Sequence, residues 1–403
     1  MVSSGPAPID LTSFTAPLSI SEPSYVWFLI KSVQCVNART LTLDNVPQVN
    51  LRGKWILFTG ANNGIGRESA LDLAALGANL VLACRDPPPR EVHPTKVVQE
   101  CKQRVREAGV TDSVVEWWEV DFAKLHSVQQ LGKRWLETER PLDILMNNAG
   151  VGSSPGNDKV HLTEDGFEFI HQVRERPSSP YLNGCIDANC PKKKKINFLS
   201  HVLLTLTVLP ALARAETPRI VCTTSSFHYN GRFNLANFNG ELGQSGIGGV
   251  NYYQNNKLWF QVWLTELQRR LLRHEKYRHI TVNGVHPGYV NSGIWSLNYD
   301  QSGLAEYVLK VFANLFAINP QQGSLALTHA ATAVDCGPDP KVQGVDVEGG
   351  KGGGRFFNRI WELEPMPHTR DADCRLRVWR KVNDDLHLKE KGLLDVLGVC
   401  STE

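Results

Sequence analysis

The sequence predicts an α/β fold: one doubly wound parallel sheet with helices on both faces, forming a single domain. Three observations carry this. Short apolar runs alternate with helix-like runs from about residue 54 onward. The apolar runs are nearly continuous rather than alternating, as expected for strands buried on both faces. Each run ends in a cluster of glycines or polar residues, where ligands of such sheets bind.

The first strand reads "KWILFTG" (54–60) and is followed by "TGANNGIG" and the helix-like "GRESALDLAALG". Gly60, Gly64 and Gly66 allow a tight turn and a close backbone approach to a ligand. The helix that follows offers free N–H groups and a positive dipole end to a pyrophosphate. The spacing is GxxxGxG, not the more familiar GxGxxG. A plain glycine-rich turn would read alike, so the flanking strand and helix carry the assignment.

The second strand, "NLVLACR" (79–85), ends at Arg85, where an adenosine ribose would lie. An arginine there can accept a 2′-phosphate, which favours NADP(H) over NAD(H), although Asp86 is adjacent. The third strand, "VVEWWEVD" (114–121), ends at Asp121. Its carboxylate can take the adenine amino group or cap the helical segment that begins near Ala123. The fourth, "LDILMNNAG" (142–150), ends in Asn147, Ala149 and Gly150. Asn147 can bind backbone or ribose, while Ala149 and Gly150 leave space for a cofactor.

The fifth strand, "RIVCTTSS" (219–226), ends at Ser225, which can hydrogen-bond an oxygen on which charge develops. Thr223, Thr224 and Ser226 compete for that role. The helical "NYYQNNKLW" then places Tyr253 and Lys257 four apart, on one face. A phenol has a pKa near ~10. A nearby ammonium, and a cationic nicotinamide, lower it, so that the phenol can exchange a proton while hydride moves. Tyr252 has Asn256 four residues on and lacks a cation, which makes it the structural neighbour. The sixth strand, "HITVNGVHPG" (279–288), leads into "HPGYVNSG" and a strongly apolar segment containing Trp295, Leu297, Tyr307, Phe312 and Phe316. That segment suits a lid over a hydrophobic substrate, or a membrane contact. His228 is expected to be structural.

In this order, "TGANNGIG", "NNAG", a strand-end serine and YxxxK resemble the short-chain dehydrogenase/reductase family. The similarity covers residues 51–395, and "LACRD", "TEDGFE", "NFLSHVLLT", "RIVCTTSSFH" and "QGSLALTHAAT" resemble its retinol dehydrogenase and WW-domain oxidoreductase branch. The resemblance implies a Rossmann-type fold and an NAD(P)-dependent oxidoreductase that interconverts a hydrophobic carbonyl and alcohol. It implies Tyr253 as acid/base, Lys257 as its partner and ribose contact, Ser225 as the polarising hydroxyl, and Asn197 as the fourth catalytic position. Asn62, Ile65, Asp121, Asn147, Val290 and Ser292 are implied as further cofactor contacts. A homodimer through long helices is a further implication. The alternative is a catalytically impaired scaffold that keeps the fold and the cofactor site.

Two segments depart from that pattern. Residues 1–50 form an N-terminal extension rich in Ser and Pro. Residues 173–195 hold three prolines and interrupt what reads as one long helix between "DGFEFIHQ" and "INFLSH". They read either as a surface loop or as an intron translated in phase. Residues 396–403 form a short tail.

Composition narrows the remaining classes. Net charge is +2 over 403 residues, which gives no bulk attraction to nucleic acid, and Lys192 to Lys195 read as a solvated loop. Nine cysteines form no CxxC, no metal site is expected, and a Cys185–Cys190 disulfide is disfavoured. Cys84 and Cys222 lie in apolar runs, as reduced buried thiols do. No apolar run reaches the ~20 residues of a membrane span. "YVWFLI" (25–30), with acids before it, reads as a packed arm ahead of a peripheral membrane contact. The expected location is the cytoplasm, with attachment to the endoplasmic reticulum or lipid droplets as the minority reading.

Overall fold

The computed structural model describes residues 39–89, 91–150, 198–233, 235, 238, 250–291, 317–345, 349–393 and 397, with the side chains of 250–252 left out. The N-terminal stretch to residue 38, the 173–195 segment, Asn197, Ser292 and the apolar residues 295–316 lie outside the described residues.

The chain runs β1 (Trp55–Thr59), α1 (Gly64–Ala75), β2 (Asn79–Cys84), α2 (Pro94–Glu107), β3 (Val115–Glu119), α3 (Leu125–Glu137) and β4 (Ile144–Asn147). It continues with α4 (Leu199–Leu212), β5 (Arg219–Thr223), α5 (Val250–Arg273), β6 (Thr281–His286), α6 (Pro320–Thr332), β7 (Phe356–Asn358), β8 (Trp361–Leu363) and α7 (Ala372–Asp385). All six strands read from the sequence are present. β7 and β8 are additional, and at three residues each they are too short to show a period.

The sheet order is β3-β2-β1-β4-β5-β6-β7-β8, parallel except for the antiparallel β7–β8 edge. From β1 the chain steps outward to β3, then crosses back so that β4 pairs with the other side of β1. The direction of winding therefore reverses between β1 and β4. The turns that leave these two strands diverge there and open a crevice.

Successive strand residues point to opposite faces. Leu57, Val81, Ala83, Trp118 and Leu145 enter one core, together with α3, α4 and α5. Ile56, Phe58, Leu80, Leu82 and Met146 enter the other, beneath α1, α2 and α6. Two apolar faces per strand explain why the runs read as continuous. The outer side of α5 is covered by α7, where Trp263 stacks on Trp379 at 6.0 Å and 8°, a contact worth about 0.5–1.5 kcal/mol beyond its area.

The described part of the N-terminal extension is packed. Leu41 and Val46 meet Leu325 of α6, and Gln322 donates to the Arg39 carbonyl at 2.7 Å. Leu397, which the sequence reading placed in the tail, belongs to the main core. Among the described residues, no helix is long and apolar enough to cross a membrane. Cys84 and Cys222 are buried free thiols, as expected.

Candidate active site

The glycine turn is fastened to the end of β4 through Thr59 and Asn148. The Thr59 hydroxyl donates to the Met146 carbonyl at 2.9 Å and accepts from the N–H groups of Asn148 and Ala149 at 2.9 and 3.0 Å. The Asn148 side-chain amide donates to the Thr59 and Gly60 carbonyls and accepts from the Thr223 hydroxyl at 3.2 Å. Three strand ends, β1, β4 and β5, are thereby tied together by one side chain.

Glycine suits all three positions of this turn: Gly64 has a left-handed φ of +53, and Gly60 and Gly66 are held by close contacts. Gly60 has φ +68, and a Cβ there would lie 2.7 Å from the Ala149 Cα. A Cβ on Gly66 would lie 2.3 Å from the Gly60 carbonyl oxygen. Asn63 occupies the N-cap of α1 and makes no side-chain cap hydrogen bond, so no cap competes for the first-turn N–H groups. A flat turn, an uncapped helix start and a following polar strand end fit a pyrophosphate-bearing dinucleotide. Asn62 is spent on the loop after β2, where it donates to the Val92 carbonyl at 3.3 Å. Ile65 and Val290 converge over Gly323, whose missing Cβ would lie 2.7 Å from a methyl of each.

Asn147 closes β4. Its side chain is fully buried, donates to the Thr205 hydroxyl at 2.8 Å and lies 3.2 Å from His201 Nδ1. That amide faces α4. Asn148 faces the crevice end instead. Asp121 does not cap the next helix, which starts at Leu125 with Lys124 at its N-cap and no side-chain cap bond; its carboxylate accepts from the Ala123 N–H at 3.2 Å within the preceding turn. Arg85 follows β2 directly and is ion-paired with Glu91 at 2.7 Å.

His201 is a residue that the sequence reading missed. Burial pushes it down to about 3, so the ring is neutral. Its Nε2–H donates to the Ala149 carbonyl at 2.7 Å, and the ring stacks on Phe260 at 5.9 Å and 3°. It thus holds the Asn147–Gly150 turn against α4. The signal for it was its place in "NFLSH", one turn into a helix next to the fourth strand.

Ser225, Tyr253 and Lys257 come together where β5 ends against the start of α5. Each is almost fully buried, at 5%, 8% and 5% exposure. The Ser225 hydroxyl accepts from the Phe227 N–H at 3.2 Å, which caps the 3-10 turn Ser226–Asn230 and fixes its direction. The Ser225 hydroxyl lies close enough to the Tyr253 phenol to favour its ionised form. Phe227 stands edge-on to the Tyr253 ring at 6.0 Å. Lys257 Nζ donates to the Thr223 carbonyl at 2.7 Å and lies 5.5 Å from the Tyr253 ring centre.

The rival hydroxyls are engaged elsewhere or turned inward. Thr223 bonds Asn148, Ser226 lies 3.1 Å from His286 Nε2, and Thr224 is fully buried. His228 is structural as expected: its Nδ1–H donates to the Ser225 carbonyl at 2.7 Å, and Nε2 accepts from the Met366 N–H at 3.3 Å.

The electrostatics differ from the simple expectation. Burial pushes the Tyr253 phenol up to about 12, only partly offset by the nearby Ser225 hydroxyl. Burial also pulls Lys257 down to about 8. Within the protein alone, desolvation therefore outweighs the acidifying effect of the ammonium.

This costs stability with a defined pH signature. Lys257 titrates lower in the folded chain than the ~10.4 of an unfolded one. The unfolded state therefore binds more protons between these values, and stability rises with pH across that window. Lys257→Met should raise the unfolding free energy by about 1–2 kcal/mol at pH 7, after loss of the Thr223 bond. Denaturant titrations should show this gain fading from pH 8 to above 10. A variant less stable than the parent at pH 7 contradicts it.

Comparison with known proteins gives the family and the fold. A family model described as "short chain dehydrogenase" matches residues 54–302. Retinol dehydrogenase 14 of Mus musculus is 30% identical over 330 residues, covering 82% of this chain and 84% of that one. Polyprenol dehydrogenase of Mus musculus is 29% identical, with 81% and 82% covered. The WW domain-containing oxidoreductase of Danio rerio is 28% identical, with 85% and 71% covered. Among solved structures, an uncharacterized protein from Mycobacterium paratuberculosis shares the fold at TM-score 0.54 and 23% identity, over 86% of this chain and 97% of that one. L-sorbose reductase from Gluconobacter frateurii, complexed with NADPH and L-sorbose, does so at 0.51 and 16%, over 79% and 100%. The sheet order, the fastened glycine turn and the Ser–Tyr–Lys cluster thus sit in a chain that belongs to the short-chain dehydrogenase family.

Proposed function

We propose that this protein is an NADP(H)-dependent oxidoreductase that interconverts a hydrophobic carbonyl and the corresponding alcohol. The convergence of Ser225, Tyr253 and Lys257 at the end of β5 carries the reading. The turn Gly60–Gly66 and the start of α1 would hold the pyrophosphate, with Ile65, Ala149 and Val290 as walls. Arg85 would meet the 2′-phosphate and Asp121 the adenine. When bound, the dinucleotide supplies or removes the hydride and, oxidised, adds a positive charge near the phenol.

The chain's own residues handle the proton. Ser225 and Tyr253 hydroxyls hydrogen-bond the carbonyl oxygen, and Tyr253 gives it a proton as hydride reaches carbon; in the reverse direction it takes that proton back. Lys257 stabilises the phenolate so formed. Asn197 and Ser292, outside the described residues, complete the catalytic and cofactor sets in this proposal.

A hydrophobic substrate is supported by the apolar stretch Trp295–Phe316 and by relatives named for retinol and polyprenol. The same stretch and Tyr25–Ile30 support a peripheral membrane contact from the cytoplasmic side, which flotation with lipid vesicles tests. A homodimer would use a face other than the side of α5 that α7 covers. Transcript sequencing decides whether residues 173–195 are a loop or a translated intron.

The activity test is NADPH oxidation, followed by absorbance, with a panel of hydrophobic ketones and aldehydes after cofactor binding has been measured. Turnover above background is expected. NADPH binding with no turnover on any member of the panel, and no change on Tyr253→Phe, favours the scaffold alternative.

A further inference from the structure

The loop after β2 closes on itself around the proposed phosphate subsite. Glu91 is anchored on both sides: its N–H donates to the Pro88 carbonyl at 2.9 Å, and its neighbour Val92 accepts from Asn62 of the glycine turn. Two residues on, His93 caps α2 by accepting from the Thr95 N–H at 3.3 Å. It also pairs with Asp86 at 3.3 Å and stands edge-on to Trp117 at 4.9 Å. The Trp117 indole in turn donates to the Cys84 carbonyl, which fixes the end of β2. Within this frame the Glu91 carboxylate lies 2.7 Å from Arg85 Nη2, with the guanidinium half-exposed at 48% and Glu91 at 21%.

We propose that Glu91 is the specificity-determining residue of the adenosine end: it engages Arg85 Nη2, so that a 2′-phosphate reaching for that donor competes with its carboxylate. The inference rests on the NADP(H) reading above. A phosphate and a carboxylate compete for the same guanidinium edge. They also repel each other, so whichever leaves Arg85 must swing out to solvent. A 2′-hydroxyl makes no such demand. It leaves the Arg85–Glu91 pair intact and can donate to a carboxylate of the loop. The pair therefore narrows the preference for NADPH and lets the same site accept NADH.

The test is a double-mutant cycle on equilibrium binding of NADPH and NADH, read by nicotinamide fluorescence in low-salt buffer. Glu91→Gln should tighten NADPH about three- to five-fold, the range of a partly exposed pair, and leave NADH within about two-fold. The gain should shrink in high salt. Arg85→Gln should weaken NADPH selectively, and adding Glu91→Gln in that background should restore nothing. The proposal is overturned if Glu91→Gln weakens NADPH, tightens both dinucleotides alike, or acts equally without Arg85. If Arg85→Gln leaves the NADPH-to-NADH ratio unchanged, the cofactor preference itself fails. If only the Glu91 effect is missing, the preference stands and the competition does not.

Discussion

Tyr253→Phe is expected to lower kcat by roughly 10²–10⁴-fold while NADPH binding stays within about two-fold. The substitution removes one oxygen from a side chain that is 8% exposed and keeps the ring that packs edge-on to Phe227. Fold and cofactor site should survive, and the melting temperature should move by no more than a few degrees. What is lost is the proton. With the phenol held up near 12, Tyr253 is protonated at neutral pH, the form that reduction of a carbonyl needs. Reduction should therefore be flat with pH around neutrality. Alcohol oxidation needs the phenolate and should rise with pH, most steeply once the cofactor's positive charge is in place. Single-turnover traces of parent and variant across pH 6–10 check both statements. A variant within a few-fold of the parent would remove Tyr253 from the chemistry.

The legible part of the molecule is the part governed by pattern and spacing. Six strands were readable because both faces of each are apolar, and the glycine turn because Gly60 and Gly66 stand where the backbone leaves no room for a Cβ. Tyr253 and Lys257 were readable because four residues on a helix is one turn. Direction was not legible. "NNAG" offers two asparagines, and nothing in the string says that Asn147 turns inward to Thr205 and His201 while Asn148 spans three strand ends. Which one faces the crevice depends on the strand's alternation and on α4, about 50 residues later in the chain. The electrostatic sign was equally hidden. A lysine beside a tyrosine suggests an acidified phenol, yet burial of both raises the phenol and lowers the ammonium. The Arg85–Glu91 pair escaped because the five intervening residues carry no period that would bring the two side chains together.

Gly66→Ala is expected to weaken cofactor binding, with affinity for NADPH falling by about 5- to 150-fold, the equivalent of the ~1–3 kcal/mol that such overpacking costs. The added methyl would lie 2.3 Å from the Gly60 carbonyl oxygen and 2.6 Å from Asn148 Nδ2. Neither neighbour can yield cheaply. The Gly60 carbonyl is backbone in a left-handed turn that itself abuts Ala149, and Asn148 is bonded to Thr59, Gly60 and Thr223. Relief requires the glycine turn to lift away from the end of β4, which closes the crevice where the pyrophosphate would lie. Overpacking of this kind costs about 1–3 kcal/mol of stability, so a binding loss must be separated from partial unfolding. Gly53→Ala supplies the control. Gly53 also has a left-handed φ, +77, but a Cβ there meets nothing within 4 Å. It should show backbone strain of about 1 kcal/mol with NADPH affinity unchanged. If Gly66→Ala binds NADPH as tightly as Gly53→Ala at equal stability, the turn is not the dinucleotide's seat, and the rigid fastening through Thr59 and Asn148 serves the sheet alone.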